Sequence, residues 1–287
     1  MKILLLGSSG MLGNQLYKIL RTKFKVYTNG LKKRKFDLSN KKNINLLLKK
    51  VPNVVINASG ITNIETCEKD KKLAQKVNVG VLSDIFKIKK EKNYKFWFIQ
   101  FSTDQMYDSN NFKKEFFESQ KPKINNNYTK TKLQAEKICK KNKSLILRTN
   151  FFGKSTVKKK SFSDWVFKNM LGKNSFYLFN DVYFSPLRIE SICKFMKEIL
   201  IKNFGKTGIY NLGSKKCFSK LKFYLLFSKY LKVKNNNYKI AKINKILKIK
   251  RSRNMLMNVK KFENDFKISL PDLEKEIKRE VYKNYLI

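Results

Sequence analysis

The sequence predicts an α/β fold: a doubly wound parallel sheet with a smaller, mixed C-terminal part. Three observations predict it. Apolar runs and amphipathic segments alternate strictly through residue 149, the signature of βαβ units. The glycine-rich stretch GSSGMLG, residues 7–13, lies between the first apolar run and the first helical pattern. After residue 150 the alternation weakens, which marks a change of architecture.

Residues 2–6 read as a buried strand, and 11–22 as a helix whose Leu12, Leu16, Ile19 and Leu20 share one face. Strands follow at 24–28, 52–59, 95–103 and 144–149, with helices at 43–51, 70–91 and 127–141 between them. Beyond 150, helices are expected at 161–171, 189–201, 219–231 and 270–286, and a strand at 208–213. Residues 232–250, rich in Lys, Asn and Ile, give no clear period. The expected division is a dinucleotide-binding domain at 1–150 and a mainly substrate-binding part at 151–287. Segments at about 186–213 are expected to return to the sheet of the first.

A strand, a glycine-rich turn and a helix make a phosphate cradle. Gly7 permits the tight turn, Gly10 lets the backbone approach a pyrophosphate, and Gly13 lets the helix pack on the strand. The helix start then offers N–H groups and a positive dipole end to the anion. The spacing is GxxGxxG rather than GxGxxG. The context of strand, helix and second strand supports a Rossmann-type sheet over a plain tight turn. After the second strand, no acid occurs between Tyr27 and Lys35 to hold a ribose 2′-hydroxyl. Asn29 is followed by Lys32, Lys33 and Arg34, which suit a 2′-phosphate. The expected cofactor is therefore NADP, with NAD as the alternative.

Composition narrows the chemistry. Among 287 residues there is no histidine, which excludes every His-based triad and His-ligated metal. Cys67, Cys139, Cys193 and Cys217 are scattered without CxxC spacing, so neither a disulfide framework nor a metal site is expected. The net charge of +44 raises nucleic-acid binding as a reading. Only seven of the basic residues are Arg, and the lysines spread along the whole chain. Groove reading favours the Arg fork, and no aromatic-interleaved basic motif is present. The reading adopted is solvated lysines from biased composition, with no specific nucleic-acid partner. No apolar stretch reaches the 18 residues of a spanning helix and the start is not a secretory signal, so a cytoplasmic protein with no membrane partner is expected.

The segment YTKTK, residues 128–132, places Tyr128 and Lys132 four apart on one helix face. A phenol has an unperturbed pKa of about 10, and a nearby ammonium lowers it. Tyr128 could then protonate a carbonyl undergoing reduction, and Lys132 could also bond the nicotinamide ribose. In FSTDQMY, residues 101–107, Thr103 ends a strong strand at the carboxyl edge of the sheet, where its hydroxyl can hold the substrate oxygen.

At this point the chain resembles the extended short-chain dehydrogenase/reductases. Within them it is similar to the dTDP-4-dehydrorhamnose reductase family of sugar-nucleotide enzymes. GSSGMLG, FDLSN, VVINASG, FSTDQMYD, YTKTKLQAE, LILRTNFFG, FSP and GIYNLG carry the resemblance, in family order over nearly the whole chain. The resemblance implies that Gly7, Gly10, Met11 and Leu12 line the pyrophosphate, with Asn29 nearby, and that Asp37 and Leu38 sit by the adenine. Ala58, Ser59 and Gly60 would flank the cofactor. Thr103, Tyr128 and Lys132 would form the catalytic set. Arg148 to Phe152 would border nicotinamide and sugar, with Asp104, Asn150 and Phe151 on the substrate. Arg251, in RSRNM, would approach the substrate diphosphate as a bidentate ligand.

The departures lie on the substrate side. Gln105 stands where the family has Tyr. In DVYFSPL, residues 181–187, Asp181 and Pro186 remain while Val182, Phe184 and Leu187 replace Gln, Gly and Thr. Glu65 and Glu68 resemble a segment near a family dimer contact that sometimes holds Mg²⁺. The plainer reading is an acidic helix start, so no metal is assigned and a homodimer stays open. The implied activity is NAD(P)H-dependent reduction of a nucleotide-linked 4-keto-6-deoxy sugar, in polysaccharide precursor synthesis. An epimerase or dehydratase of the same fold and a non-catalytic NADP-binding regulatory subunit are the alternatives. Gln105 beside Asp104 disfavours the dehydratase, which usually carries an acid pair there.

Overall fold

The computed structural model describes residues 1–30, 36–158, 160–234 and 236–286. In chain order the elements begin with β1 (Lys2–Leu6), α1 (Met11–Leu20), β2 (Lys25–Thr28), α2 (Lys41–Leu48), β3 (Val54–Asn57), α3 (Ile64–Lys69) and α4 (Lys71–Gln75). A π-helical turn (Lys76–Gly80), α5 (Val81–Glu91), β4 (Trp97–Thr103), a 3-10 turn (Asp104–Met106), α6 (Asn127–Lys141) and β5 (Leu145–Thr149) follow. Then come β6 (Phe151–Phe152), α7 (Phe162–Leu171), β7 (Phe176–Phe179), β8 (Tyr183–Phe184), β9 (Leu187–Arg188), α8 (Ile189–Lys202) and β10 (Gly208–Leu212). The chain closes with β11 (Phe218–Ser219), α9 (Lys220–Leu231), β12 (Tyr238–Ala241), α10 (Ile243–Ile246), β13 (Asn254–Met255), α11 (Lys260–Phe266) and α12 (Leu273–Asn284).

Two compact units share these elements. The first comprises Met1–Thr103, Asn126–Arg148 and Cys193–Tyr210, and the second Asp104–Asn125, Thr149–Ile192 and Asn211–Ile287. The chain thus passes between units several times: Asp104–Asn125 leaves the first unit early, and the stretch 193–210 returns to it.

A six-stranded sheet in the order β2-β1-β3-β4-β5-β10 organises the first unit. β1 pairs in parallel with both β2 and β3, and β3 in parallel with β4. Every residue of β3 and β4 is buried, as befits central strands covered by helices on both faces. Their sequences are therefore mostly apolar rather than alternating, with polar residues such as Asn57 and Thr103 at their carboxyl ends. The chain reverses direction across the sheet between β1 and β3, and the carboxyl ends of strands flanking such a switch point form a ligand crevice. Asn40 caps α2 by accepting from Lys42 N–H at 2.9 Å, and Asp70 caps α4 by accepting from Leu73 N–H at 2.8 Å. The helix expected at 70–91 is α4 and α5 joined through the π-helical turn, a feature that periodicity cannot reveal.

In the second unit the sheets are small: β11-β8-β13, β12 paired with β7, and β6 paired with β9. Its core is aromatic, with Phe162, Phe184 and Phe223 in mutual ring contact at centroid distances of 5.2–5.7 Å. Helix α12 packs on α9. It turns two buried carboxylates to Arg188: Glu276 accepts from the backbone N–H at 2.9 Å and Glu280 from Nε at 2.8 Å. The region 232–250 forms β12, which runs parallel to β7, and α10. The two-residue strands escape sequence reading because they are too short to show a period.

Candidate active site

The glycine turn is shaped by close backbone approaches. Gly7 has φ of +84°, and a Cβ there would lie 2.6 Å from both the Ala58 carbonyl carbon and the Ser59 nitrogen. The ends of β1 and β3 therefore meet at a distance only glycine allows. A Cβ on Gly13 would lie 2.1 Å from the Gly7 oxygen, so α1 sits directly on the turn. Gly10 differs: its nearest neighbour would be Gly7 O at 3.3 Å, and it is the N-cap of α1 with extended backbone. No side chain caps α1 and its first turn holds no acid. The N–H groups opening at Met11 and Leu12 keep the donor character and positive field that suit a phosphate. Leu12 turns its own side chain into the core.

Asn29 accepts from the Gly7 N–H at 2.8 Å, so it fixes the turn from the end of β2. Asp37 accepts from the Ser39 N–H at 2.9 Å and the Ser39 hydroxyl at 2.8 Å, and these bonds hold its carboxyl below the usual range. Leu38 is buried in the core with Ile44 and Leu48. Lys32, Lys33 and Arg34, the basis of the NADP preference, lie outside the described residues.

After β3, Ser59 donates through its N–H to Asn57 Oδ1 at 3.0 Å, and Asn57 Nδ2 donates to Gln100 at 2.9 Å. Gly60 adopts φ of +146° with its open side against Asn78. Asn78, in the π-helical turn, accepts from Ile61 N–H at 2.8 Å and donates to Thr131 Oγ1 at 3.1 Å. It ties the Ala58–Gly60 loop to α6, and a π-turn at such a place is a frequent mark of function. Sequence reading missed Asn78, whose helical setting gave no signal.

Thr103 ends β4 and is 4% exposed; Tyr128 and Lys132, on successive turns of α6, are each 7% exposed. Asn126 caps α6 by accepting from Thr129 N–H at 3.0 Å, and the Glu68 carboxylate accepts from Asn127 N–H at 2.5 Å. Glu68 thus anchors the start of the helix that carries the pair. Lys132 Nζ donates to the Phe101 carbonyl at 2.7 Å, two residues before Thr103. Burial pulls its pKa from 10.5 down to about 8, against the opposing field of Glu136. Glu136 is itself bound to Arg148, Nε to Oε1 at 3.0 Å and Nη2 to Oε2 at 2.7 Å. Arg148, expected at the border of nicotinamide and sugar, is 2% exposed and held in this internal ion pair.

In the second unit, Asp104 is buried and accepts from Asn150 Nδ2 at 2.9 Å. Asn150 and Arg251 line one cavity of about 120 Å³, together with Gln105, Lys220 and aromatic and aliphatic walls. Phe151 lies in the β6–β9 pair opposite Leu187. Lys220 was missed, because one lysine among so many carries no signal. Among the described residues no three His, Cys, Asp or Glu side chains cluster as metal ligands, and no helix is long and apolar enough to cross a membrane.

Comparison with known proteins agrees with this geometry. The chain is 24% identical over 295 aligned positions to the dTDP-4-dehydrorhamnose reductase of Shigella flexneri, covering 97% of this chain and 96% of that one. It superposes on the crystal structure of a dTDP-4-dehydrorhamnose reductase from Bacillus anthracis in complex with NADP. The TM-score is 0.86 at 18% identity, with 99% of each chain covered. A UDP-glucose 4-epimerase from Thermus thermophilus, complexed with NAD, shares the fold at TM-score 0.80 and 14% identity, over 98% of each chain. The fold therefore serves more than one reaction, and family membership rests on the sequence pattern. That pattern, the RmlD substrate binding domain, matches residues 1–286 of the chain, which belongs to this family.

Proposed function

We propose that the chain is an NADPH-dependent reductase of a nucleotide-linked 4-keto-6-deoxy sugar, of the dTDP-4-dehydrorhamnose reductase type. The observation that carries this is the join of β4 to α6: Thr103 at the strand end, Tyr128 and Lys132 on one helix face, and the Lys132 ammonium held at the Phe101 carbonyl. The relative that carries the name dTDP-4-dehydrorhamnose reductase supports this reading. A dinucleotide fits the residues present, because the start of α1 has no side-chain cap and Gly10 leaves its approach open.

When bound, the nicotinamide supplies the hydride. Tyr128 donates the proton to the developing C4 alkoxide, and the Lys132 ammonium lowers the cost of leaving a phenolate behind. Thr103 holds the carbonyl oxygen in line with the Tyr128 hydroxyl. The uncapped first turn of α1 binds the pyrophosphate, Asp37 and Leu38 border the adenine, and Ala58 to Gly60 flank the cofactor. Asp104, Asn150 and Phe151 contact the sugar, and Arg251 takes the diphosphate. The protein would work in the cytoplasm with no membrane or nucleic-acid partner and feed cell-surface polysaccharide synthesis. A homodimer is compatible with this role.

The test is NADPH consumption by the purified chain with dTDP-linked and other nucleotide-linked 4-keto-6-deoxy sugars. Turnover on one of them is expected, with NADPH preferred over NADH. A chain that binds NADPH and reduces none would instead be a regulatory subunit. Interconversion of epimers without net NADPH loss would make it an epimerase.

A further inference from the structure

Lys220 opens α9 and stands on a wall shared by two cavities of the second unit. One is the polar cavity that Arg251 and Asn150 also line; the other, of about 310 Å³, is walled by Phe162, Trp165, Tyr177 and Phe179. The Lys220 Nζ lies 5.3 Å from the ring centre of Phe162 and 5.9 Å from that of Phe179. Among the described residues no carboxylate forms an ion pair with it. Ring faces recover only part of an ammonium's lost hydration.

The charged groups around it are few. Arg251 repels the ammonium and Asp104 attracts it. Asp104 also accepts from Asn150, and Asp181 turns one oxygen to the Ile243 N–H at 3.0 Å. The Cys217 thiol, pushed up by burial, stays neutral. Two cations thus share one small cavity. Burial and Arg251 together bring Lys220 down from 10.5 to about 8. A ligand with two linked negative groups relieves both effects at once. A guanidinium fork suits one phosphate and a compact ammonium the next.

We infer that Lys220 is a substrate-binding cation that joins Arg251 in a clamp on the two phosphates of a nucleoside diphosphate. The clamp makes the chain select diphosphate-linked sugars over nucleoside monophosphates. This rests on the reductase reading, which supplies the substrate class. An incoming diphosphate restores the charged form of Lys220, so binding above pH 8 takes up a proton.

The experiment is calorimetric titration of the full chain with dTDP and dTMP, in two buffers of different ionisation enthalpy at pH 8.5. Wild type is expected to prefer dTDP and to take up a proton on binding it. Lys220→Met should weaken dTDP by about 10- to 100-fold, as loss of a charged hydrogen bond does. It should weaken dTMP far less, abolish the proton uptake and leave NADPH affinity intact. Lys220→Arg should restore most of the dTDP affinity without the uptake. If Lys220→Met binds dTDP as wild type does, or wild type takes up no proton, the clamp is wrong and the reductase reading stands. If wild type binds NADPH but no nucleoside diphosphate, both fall.

Discussion

Lys132 in the first unit and Lys220 in the second are both drawn down to a pKa of about 8 by burial, yet the surroundings that hold them differ. A backbone carbonyl receives Lys132 at 2.7 Å, and the helix period sets it one turn beyond Tyr128. Lys220 faces rings and a second cation, in a cavity whose walls come from residues as far apart as 105 and 255. The first arrangement is made by backbone geometry, and the second by side chains gathered from separate segments. A site of the first kind tolerates little change in its frame. A site of the second kind can vary its ligand while the frame persists, which agrees with the departures at Gln105, Val182 and Phe184 falling in the second unit.

The largest expected effect is on the proton donor. Tyr128→Phe keeps the ring and removes the hydroxyl, so kcat should fall by about 10²–10⁴ while NADPH affinity holds. Steady-state kinetics beside a fluorescence titration of NADPH checks both. Turnover near wild type would remove Tyr128 from the mechanism and with it the contrast between the units.

Next comes the frame. Gly13→Val places a side chain where even a Cβ would meet the Gly7 oxygen at 2.1 Å. It should cost about 3 kcal/mol or more, the upper range for overpacking. Denaturant unfolding measures this, and an undisturbed midpoint would mean that α1 does not rest on the turn as described.

The lysines separate by pH. Lys132 keeps its charge below about pH 8, so kcat should decline as pH rises through that value. If Lys220 acts on the diphosphate, KM should rise over the same range, and Lys220→Met should remove the rise in KM but not the fall in kcat. Stability runs the other way. Between about pH 8 and 10.5 the unfolded chain holds a proton that buried Lys132 has lost, so folding gains as pH rises. Lys132→Met should therefore be inactive yet more stable than wild type at neutral pH. The Phe101 carbonyl keeps its second bond, from Gln100 Nε2 at 2.8 Å. A Met variant less stable than wild type would show that the Lys132 bond outweighs its burial.

The smallest effect on the fold is expected at Gly10, where a Cβ meets only one atom, at 3.3 Å. Gly10→Ala should unfold almost as wild type does while binding NADPH about tenfold more weakly, a loss near 1.4 kcal/mol. Equal NADPH affinity would take the pyrophosphate away from this turn.

Much of the first unit was legible because its constraints are local. The bare positions at 7, 10 and 13, the apolar run before them and the Tyr–Lys spacing all follow from chain period and steric need. The ion pair of Arg148 was not legible, because its partner Glu136 sits on another element and only folding brings the two together. Asn78 stayed hidden because a π-turn leaves no period of its own. In the second unit, β8 and β13 are two residues each, and their pairing depends on partners about 70 residues apart. Lys220 gained meaning only when folding set it beside Arg251.

The most direct test of the reductase account is to follow deuterium from NADPH labelled on its transferable position into a dTDP-linked 4-keto-6-deoxy sugar, with mass spectrometry of the product. The account predicts one deuterium at C4 of the sugar with wild-type protein, and transfer slowed by about 10²–10⁴ with Tyr128→Phe. Protein that binds NADPH yet leaves the sugar unlabelled would contradict it.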